Sequence, residues 1–418
     1  MRSLTYTRRA MERAYFDHAG TSPLTPQARA ILTGLASLGN PSSVHAEGQR
    51  ARAALEEARA RLAAALHVED DEIVFTGSGT EADNLALRGV VWAAGGRPHV
   101  VTTAIEHQAV RRTARWLAEK GHVSLTVIEP DEQGIVDPSR IAEALRSDTA
   151  LVSMMLVNNE LGTIQEVASV ARECGARGIR LHVDAVQAVG RMPLLPRDLG
   201  ADLLALSAHK AGGPAGVGVL FVRRGVKLQP ILCGGEQESG LRPGTENVAM
   251  LAAGAEALAL ALDEQAERAA RLRTLTRRLE QSLLALAGAR LHGDPERRAP
   301  GITNVGFEGV PGDVLLRALD LEGFAVSTGS ACTSGSIAAS HVIEALGLPK
   351  ERAREAMRLS LGTSNTEAEI DRLLDVLPRA LAAARDALKR PRANGRPIEE
   401  NGGSGRRLGA PSRRGDIR

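Results

Sequence analysis

Short apolar runs alternate with longer stretches of helical spacing along most of the chain. Runs at 15–17, 73–75, 99–103, 123–128, 151–157, 179–183, 203–206 and 217–222 read as strands. Between them 47–66, 81–92, 106–120, 138–145 and 164–176 carry Ala, Leu, Glu and Arg at helical spacing and read as helices. Strands separated by helices call for a mostly parallel sheet with helices on both faces, so the fold class is α/β. Beyond about residue 255 the character changes. A long helical region is predicted over 252–286, then strands at 302–307 and 325–327 and helices at 313–321, 341–346, 350–357 and 367–388. This divides the chain into a large domain, 15–260, and a smaller C-terminal α/β domain, 261–388. Residues 1–14 are a leader, and 15–25 are expected to pack with the small domain.

On parallel sheets ligands lie beyond the carboxyl ends of the strands, and polar groups gather there. They are Thr76–Thr80, Glu106 and His107, Asn158 and Asn159, Asp184 with Gln187, and Ser207–Lys210. The turn Thr76-Gly77-Ser78-Gly79-Thr80 joins a strand to a helix start, which suits an anion and equally a plain capped turn. Lys210 closes the stretch ADLLALSAHKAGGP (201–214). Taken alone it fits a solvated lysine, and it also fits a partly desolvated amine available for a Schiff base. Asp184 at a strand end fits a buried carboxylate facing the ring nitrogen of pyridoxal phosphate. In that setting His107 fits a ring stacked on the cofactor. Gln187 and Asn159 fit donors to its oxygen, and Thr80, Ser207 and His209 fit phosphate ligands.

Composition narrows the class. The 418 residues are 43% hydrophobic and 24% charged, as in a soluble globular protein. No apolar run approaches the roughly 20 residues of a membrane span. The basic N-terminus lacks the apolar core of a secretory signal, and Met11 is a candidate start. Cys174, Cys233 and Cys332 are far apart and odd in number. That argues against a disulfide framework and a self-contained structural zinc site and suits a reduced, cytoplasmic protein. Residues 389–418 hold nine Lys/Arg against Glu399, Glu400 and Asp416, a charge of +6 that leaves the body near −4. An acidic body argues against nucleic-acid binding, and the Arg/Gly/Pro/Ser-rich tail reads as a disordered extension. Contact with an acidic partner or RNA is the tail's other reading.

Many separate stretches carry a resemblance. They are GNPSS with His45 (39–45), TGSGTEADN (76–84), Glu106-His107, VNNELG (157–162) and HVDAVQAVG (182–190). SAHK (207–210), RPGTEN (242–247), STGSACTSGS (327–336) and RLSLG (358–362) continue the series. Residues 15–388 resemble a cysteine desulfurase of the iron–sulfur-cluster-assembly type, among the class V, fold-type-I enzymes that use pyridoxal 5'-phosphate. The resemblance implies that Lys210 is the Schiff-base lysine, Asp184 the pyridinium partner and His107 the stacking ring. It implies cofactor contacts from Gly79, Thr80, Ser207, His209, Asn159 and Gln187. Thr245 would reach the phosphate of a neighbouring subunit, which implies a homodimer, and Arg358, with Asn159, would hold the substrate carboxylate. Cys332 would take the sulfur of L-cysteine as a persulfide and pass it to an acceptor protein, a scaffold or a thiolation protein. A selenocysteine lyase or another aminotransferase-fold enzyme is the rival reading, and Cys332 in its small-residue run discriminates against it. No metal is implied. Glu236 and Cys233 near the subunit contact, Ile337-Ala338-Ala339-Ser340, and Thr363-Ser364-Asn365 depart from the family pattern. Cys174, on a helix, reads as inert.

Overall fold

A computed structural model describes residues 13–329 and 340–389. The chain enters through β1 (Ala14–Tyr15). Two helices follow, α1 (Pro26–Leu35) and α2 (Ala46–Leu66). Helix α1 is not foreseen by the apolar pattern, although Thr25 caps it and Pro26 opens it. The main alternation begins with β2 (Ile73–Thr76), α3 (Gly79–Ala94), β3 (His99–Thr103) and α4 (Gln108–Glu119). It runs on through β4 (Ser124–Ile128), α5 (Pro138–Ala144), β5 (Thr149–Met155) and α6 (Val167–Ala176). Strands β6 (Arg180–Asp184), β7 (Leu203–Ser207) and β8 (Gly218–Val222) complete one seven-stranded sheet in the order β2-β8-β7-β6-β5-β3-β4.

Strands β4, β3, β5, β6 and β7 are mutually parallel, while β8 runs antiparallel to both β7 and β2. Reversal at both of its ladders turns β2 back to the direction of β7. The carboxyl ends of β2, β3, β5, β6 and β7 therefore meet at one edge of the sheet. Every residue of β3, β7 and β8 is buried, as a sheet covered on both faces demands. Only the edge strand β4 keeps partly exposed residues along most of its length.

Helix α7 (Val248–Asp263) is apolar nearly all round because it packs between α1 and α2. It is followed by α8 (Gln265–Leu284), so the long predicted helix over 252–286 is two helices. They separate at Glu264, where neither proline nor glycine marks the break. Leu272, Leu275, Leu279 and Leu283 of α8 turn to a different core, shared with Phe16, Phe307 and Phe324.

That core is covered by the antiparallel strands β9 (Ala289–His292) and β10 (Ile302–Phe307), with α9 (Gly312–Leu321) and β11 (Phe324–Ala325). Two short helices, α10 (His341–Ala345) and α11 (Lys350–Glu355), lead to β12 (Ala356–Ser360) and the last helix, α12 (Glu367–Lys389). The predicted helix over 350–357 is thus corrected: it stops at Glu355, and the chain turns into a strand paired with β10. Arg358 interrupts the apolar run and hides that strand from a periodicity reading. Strand β1 pairs in parallel with β11, and Asp17 bridges to Ser360, which ties the N-terminal segment 14–17 to the C-terminal part.

Candidate active site

Strand β7 delivers Ser207 to the polar edge, and the short 3-10 turn Ala208–Lys210 follows it. The turn is pinned by Ser22, whose Oγ donates to the Lys210 carbonyl at 3.1 Å. Gly212 (φ +86) then turns the chain where a Cβ would lie 2.7 Å from Thr25. Lys210 Nζ donates to the carbonyls of Ala19 and Gly20 at 2.8 and 2.5 Å. The amine is therefore drawn inward by the N-terminal segment.

Asp184 closes β6 and is buried, accepting a bond from the Val186 N–H at 3.0 Å. Burial pushes its carboxyl up, while nearby His107 and Lys210 pull it down. His107 caps α4, its Nδ1 accepting from the Ala109 N–H at 3.2 Å, which leaves the proton of the neutral ring on Nε2. Burial lowers its pKa. Below lies Asp83, one turn into α3 and buried, with Oδ1 lacking a hydrogen-bond partner among the described residues and 3.4 Å from His182 Nε2. Burial and the charges of Asp184 and Glu106 hold Asp83 well above the usual carboxylate range. One ligand atom each from Asp83, His107 and Asp184 lie within 4.8 Å of one another. Such a cluster is poorly compensated and favours a cation between its members.

The start of α3 forms the adjoining wall. Ser78 caps it, accepting from Glu81 N–H, so Gly79 and Thr80 lie in the first turn, where backbone N–H groups are free of helical partners. A Cβ on Gly79 would stand 3.0 Å from Val186 and 3.3 Å from Ser207, so the turn lies close to the end of β7. His209 Nδ1 meets Thr21 Oγ1 at 3.1 Å, and burial and Lys210 lower its pKa to about 4. Gln187 Nε2 donates to the Ala19 carbonyl at 2.9 Å. On the far wall Arg358 is buried in β12, with Nη1 donating to the Asn159 carbonyl at 2.8 Å and Nη2 to Asp17 at 2.7 Å. Its Nε has no partner among the described residues.

Together these groups line one cavity of about 370 Å³. Gly79, Thr80, His107, Asn159, Asp184, Gln187, Ser207, His209, Lys210 and Arg358 all border it. Thr245 does not; it is exposed, just after Arg242, whose Nε bonds Glu81 in the first turn of α3. Cys332 lies outside the described residues. The expectation that Cys174 is inert agrees with its burial, which pushes the thiol up to about 12, and Cys233 is exposed. Sequence reasoning gave no role to Asp17, Ala19 or Asp83. Asp17 and Ala19 precede the glycine of a turn-rich stretch, and Asp83 reads as a helix-surface residue until the fold buries it.

The features fit pyridoxal phosphate: a carboxylate in need of a cation, an amine in the same cavity, and a helix start shaped by a glycine. The class-V aminotransferase family model matches residues 14–373. An IscS-like cysteine desulfurase of Mycobacterium tuberculosis is 42% identical over 383 residues, 90% of this chain and 98% of that protein. Among solved structures, a NifS-like protein superposes with a TM-score of 0.84 at 34% identity, covering 89% of this chain and all of the other. SspA in complex with cysteine superposes with a TM-score of 0.74 at 30% identity, covering 85% and 100%. A match over nearly the whole length makes the chain a class-V aminotransferase family member of the cysteine desulfurase group.

Proposed function

We propose that the protein is a pyridoxal-phosphate-dependent cysteine desulfurase that takes sulfur from L-cysteine onto Cys332. The observation that carries the cofactor assignment is that Lys210 and buried Asp184 line the same cavity. When bound, the cofactor supplies a protonated ring that draws electrons from the α-carbon of the substrate. Asp184 would keep the ring nitrogen protonated, and His107 would cover one ring face. Gly79, Thr80, Ser207 and His209 would hold the phosphate, and Asn159 and Gln187 would bond the ring oxygen. Lys210 Nζ would hold the cofactor and carry the α-proton. Arg358, held by Asp17 and Asn159, would receive the substrate carboxylate through its remaining N–H groups. The Cys332 thiolate attacks the substrate sulfur, so that a sulfur–sulfur bond forms and the carbon–sulfur bond breaks. The carbon then takes up a proton and leaves as alanine.

The homologue solved with cysteine supports this substrate. Cys332 separates the reading from a transaminase, which has no use for a thiol there, and relative turnover of selenocysteine tests the lyase alternative. The wider picture is a cytoplasmic homodimer in which Thr245 reaches the partner's cofactor site. A scaffold or thiolation protein accepts the sulfur. In our reading 15–260 form the cofactor domain and 261–388 the small domain. Mass spectrometry after incubation with L-cysteine should find one added sulfur on the Cys332 peptide and alanine in solution. An unmodified Cys332 peptide alongside alanine production would place the sulfur chemistry elsewhere.

A further inference from the structure

Residues on either side of 330–339 converge on one buried carboxyl group. On the entering side, Ser327 forms a backbone bridge with Arg358, its N–H donating to the Arg358 carbonyl at 3.1 Å and its carbonyl accepting at 2.6 Å. Gly329 follows with φ +83, and a Cβ there would lie 2.5 Å from Glu160 Oε2. On the returning side, Ser340 Oγ donates to the same Oε2 at 2.5 Å. His341 Nε2 then donates to the Glu106 carbonyl at 2.9 Å, beside His107. Glu160 and Ser340 are both buried. Glu160 is itself held in place, its N–H donating to Asn158 Oδ1 at 2.9 Å and its carbonyl accepting from Asn304 at 3.3 Å.

We infer that Glu160 is a positioning residue: its carboxyl group packs against Gly329 and accepts a bond from Ser340, and so holds together the residues that flank 330–339 on either side. Its neighbour Asn159 holds Arg358 through its carbonyl. The same short turn thus contacts the residues flanking 330–339 and the guanidinium of Arg358. Fixing both ends of a chain segment raises the effective concentration of a group it carries at a target within reach. A side chain that ties the ends without touching substrate should therefore act on sulfur transfer and spare substrate binding.

The inference rests on the desulfurase reading, and the experiment separates the two. Holoenzyme variants Glu160→Ala, Glu160→Gln, Ser340→Ala and Ser340→Thr are compared with wild type in two measurements. L-Alanine affinity is read from the cofactor's visible band, and the rate of sulfur addition to Cys332 is read by quenched mass spectrometry. Glu160→Ala and Ser340→Ala should slow sulfur addition by about tenfold or more while alanine affinity moves by less than about threefold. Glu160→Gln and Ser340→Thr, which keep a bonding partner, should recover most of the rate. Unchanged sulfur addition in both alanine variants overturns the inference, as does a loss of rate matched by an equal loss of alanine affinity. Should Glu160→Ala fail to fold, the Ser340 pair decides. A wild-type enzyme that shifts its band with alanine yet adds no sulfur to Cys332 refutes the desulfurase reading itself.

Discussion

At the residue scale, the site is built from ionisable groups that burial leaves in unusual states. Lys210→Ala should purify without the visible band of the bound cofactor, whereas Cys332→Ser should keep the band and lose sulfide release from cysteine under thiol reductant. A coloured Lys210→Ala protein, or a Cys332→Ser enzyme turning over normally, contradicts the respective role; absorbance spectra and a sulfide assay decide. Glu106 offers a test in pH. Burial raises its pKa from 4.5 to about 8, against the bonds it accepts from Thr103 and Met155. Between those values the folded protein keeps a proton that the unfolded chain releases. Stability from this group therefore falls as pH rises through the window and is lowest above it. Glu106→Gln keeps both acceptor bonds and removes the titration. It should unfold at higher denaturant than wild type near about pH 8.5, by about 1–3 kcal/mol, with the gap closing near about pH 5. An equal gap at both values would mean that the proton is not involved.

At the element scale, the site depends on how closely α3 approaches β8. Gly218 opens β8 opposite Thr76, and a Cβ there would lie 2.2 Å from the Ser78 carbonyl carbon. Gly218→Ala should push away the start of α3. The expected cost is about 1–3 kcal/mol of stability in urea unfolding, with weaker retention of the cofactor during dialysis. Full retention would mean that the helix start absorbs the displacement without cost to cofactor binding. Most elements are legible from periodicity because the central strands are continuous apolar runs and the helices lie between them. Strand β12 is not legible, because a buried arginine reads as polar. The break at Glu264 is equally hidden, since it follows from two helices facing different cores rather than from a local stop signal.

At the scale of the whole molecule, the ends of the chain are tied differently. Residues Ala14–Asp17 pair with β11 and β12 and bring Asp17 to Arg358. Deleting 390–418 should leave turnover with cysteine and a thiol reductant unchanged within about twofold. A collapse of activity in that assay would show that the basic tail takes part in the reaction. Among the described residues no helix is long and apolar enough to cross a membrane. By itself the sequence determined the fold class, the order of the alternating elements and nearly all residue types at the cavity. Those properties follow from local periodicity and from motifs of neighbouring residues. Only the tertiary structure decided that Asp17 holds Arg358, that Asp83 is buried close to Asp184, and that Gly329 and Ser340 both approach Glu160. These relations join residues distant in the chain and depend on burial, which changes the chemistry of a carboxyl group or a guanidinium without changing its letter in the sequence.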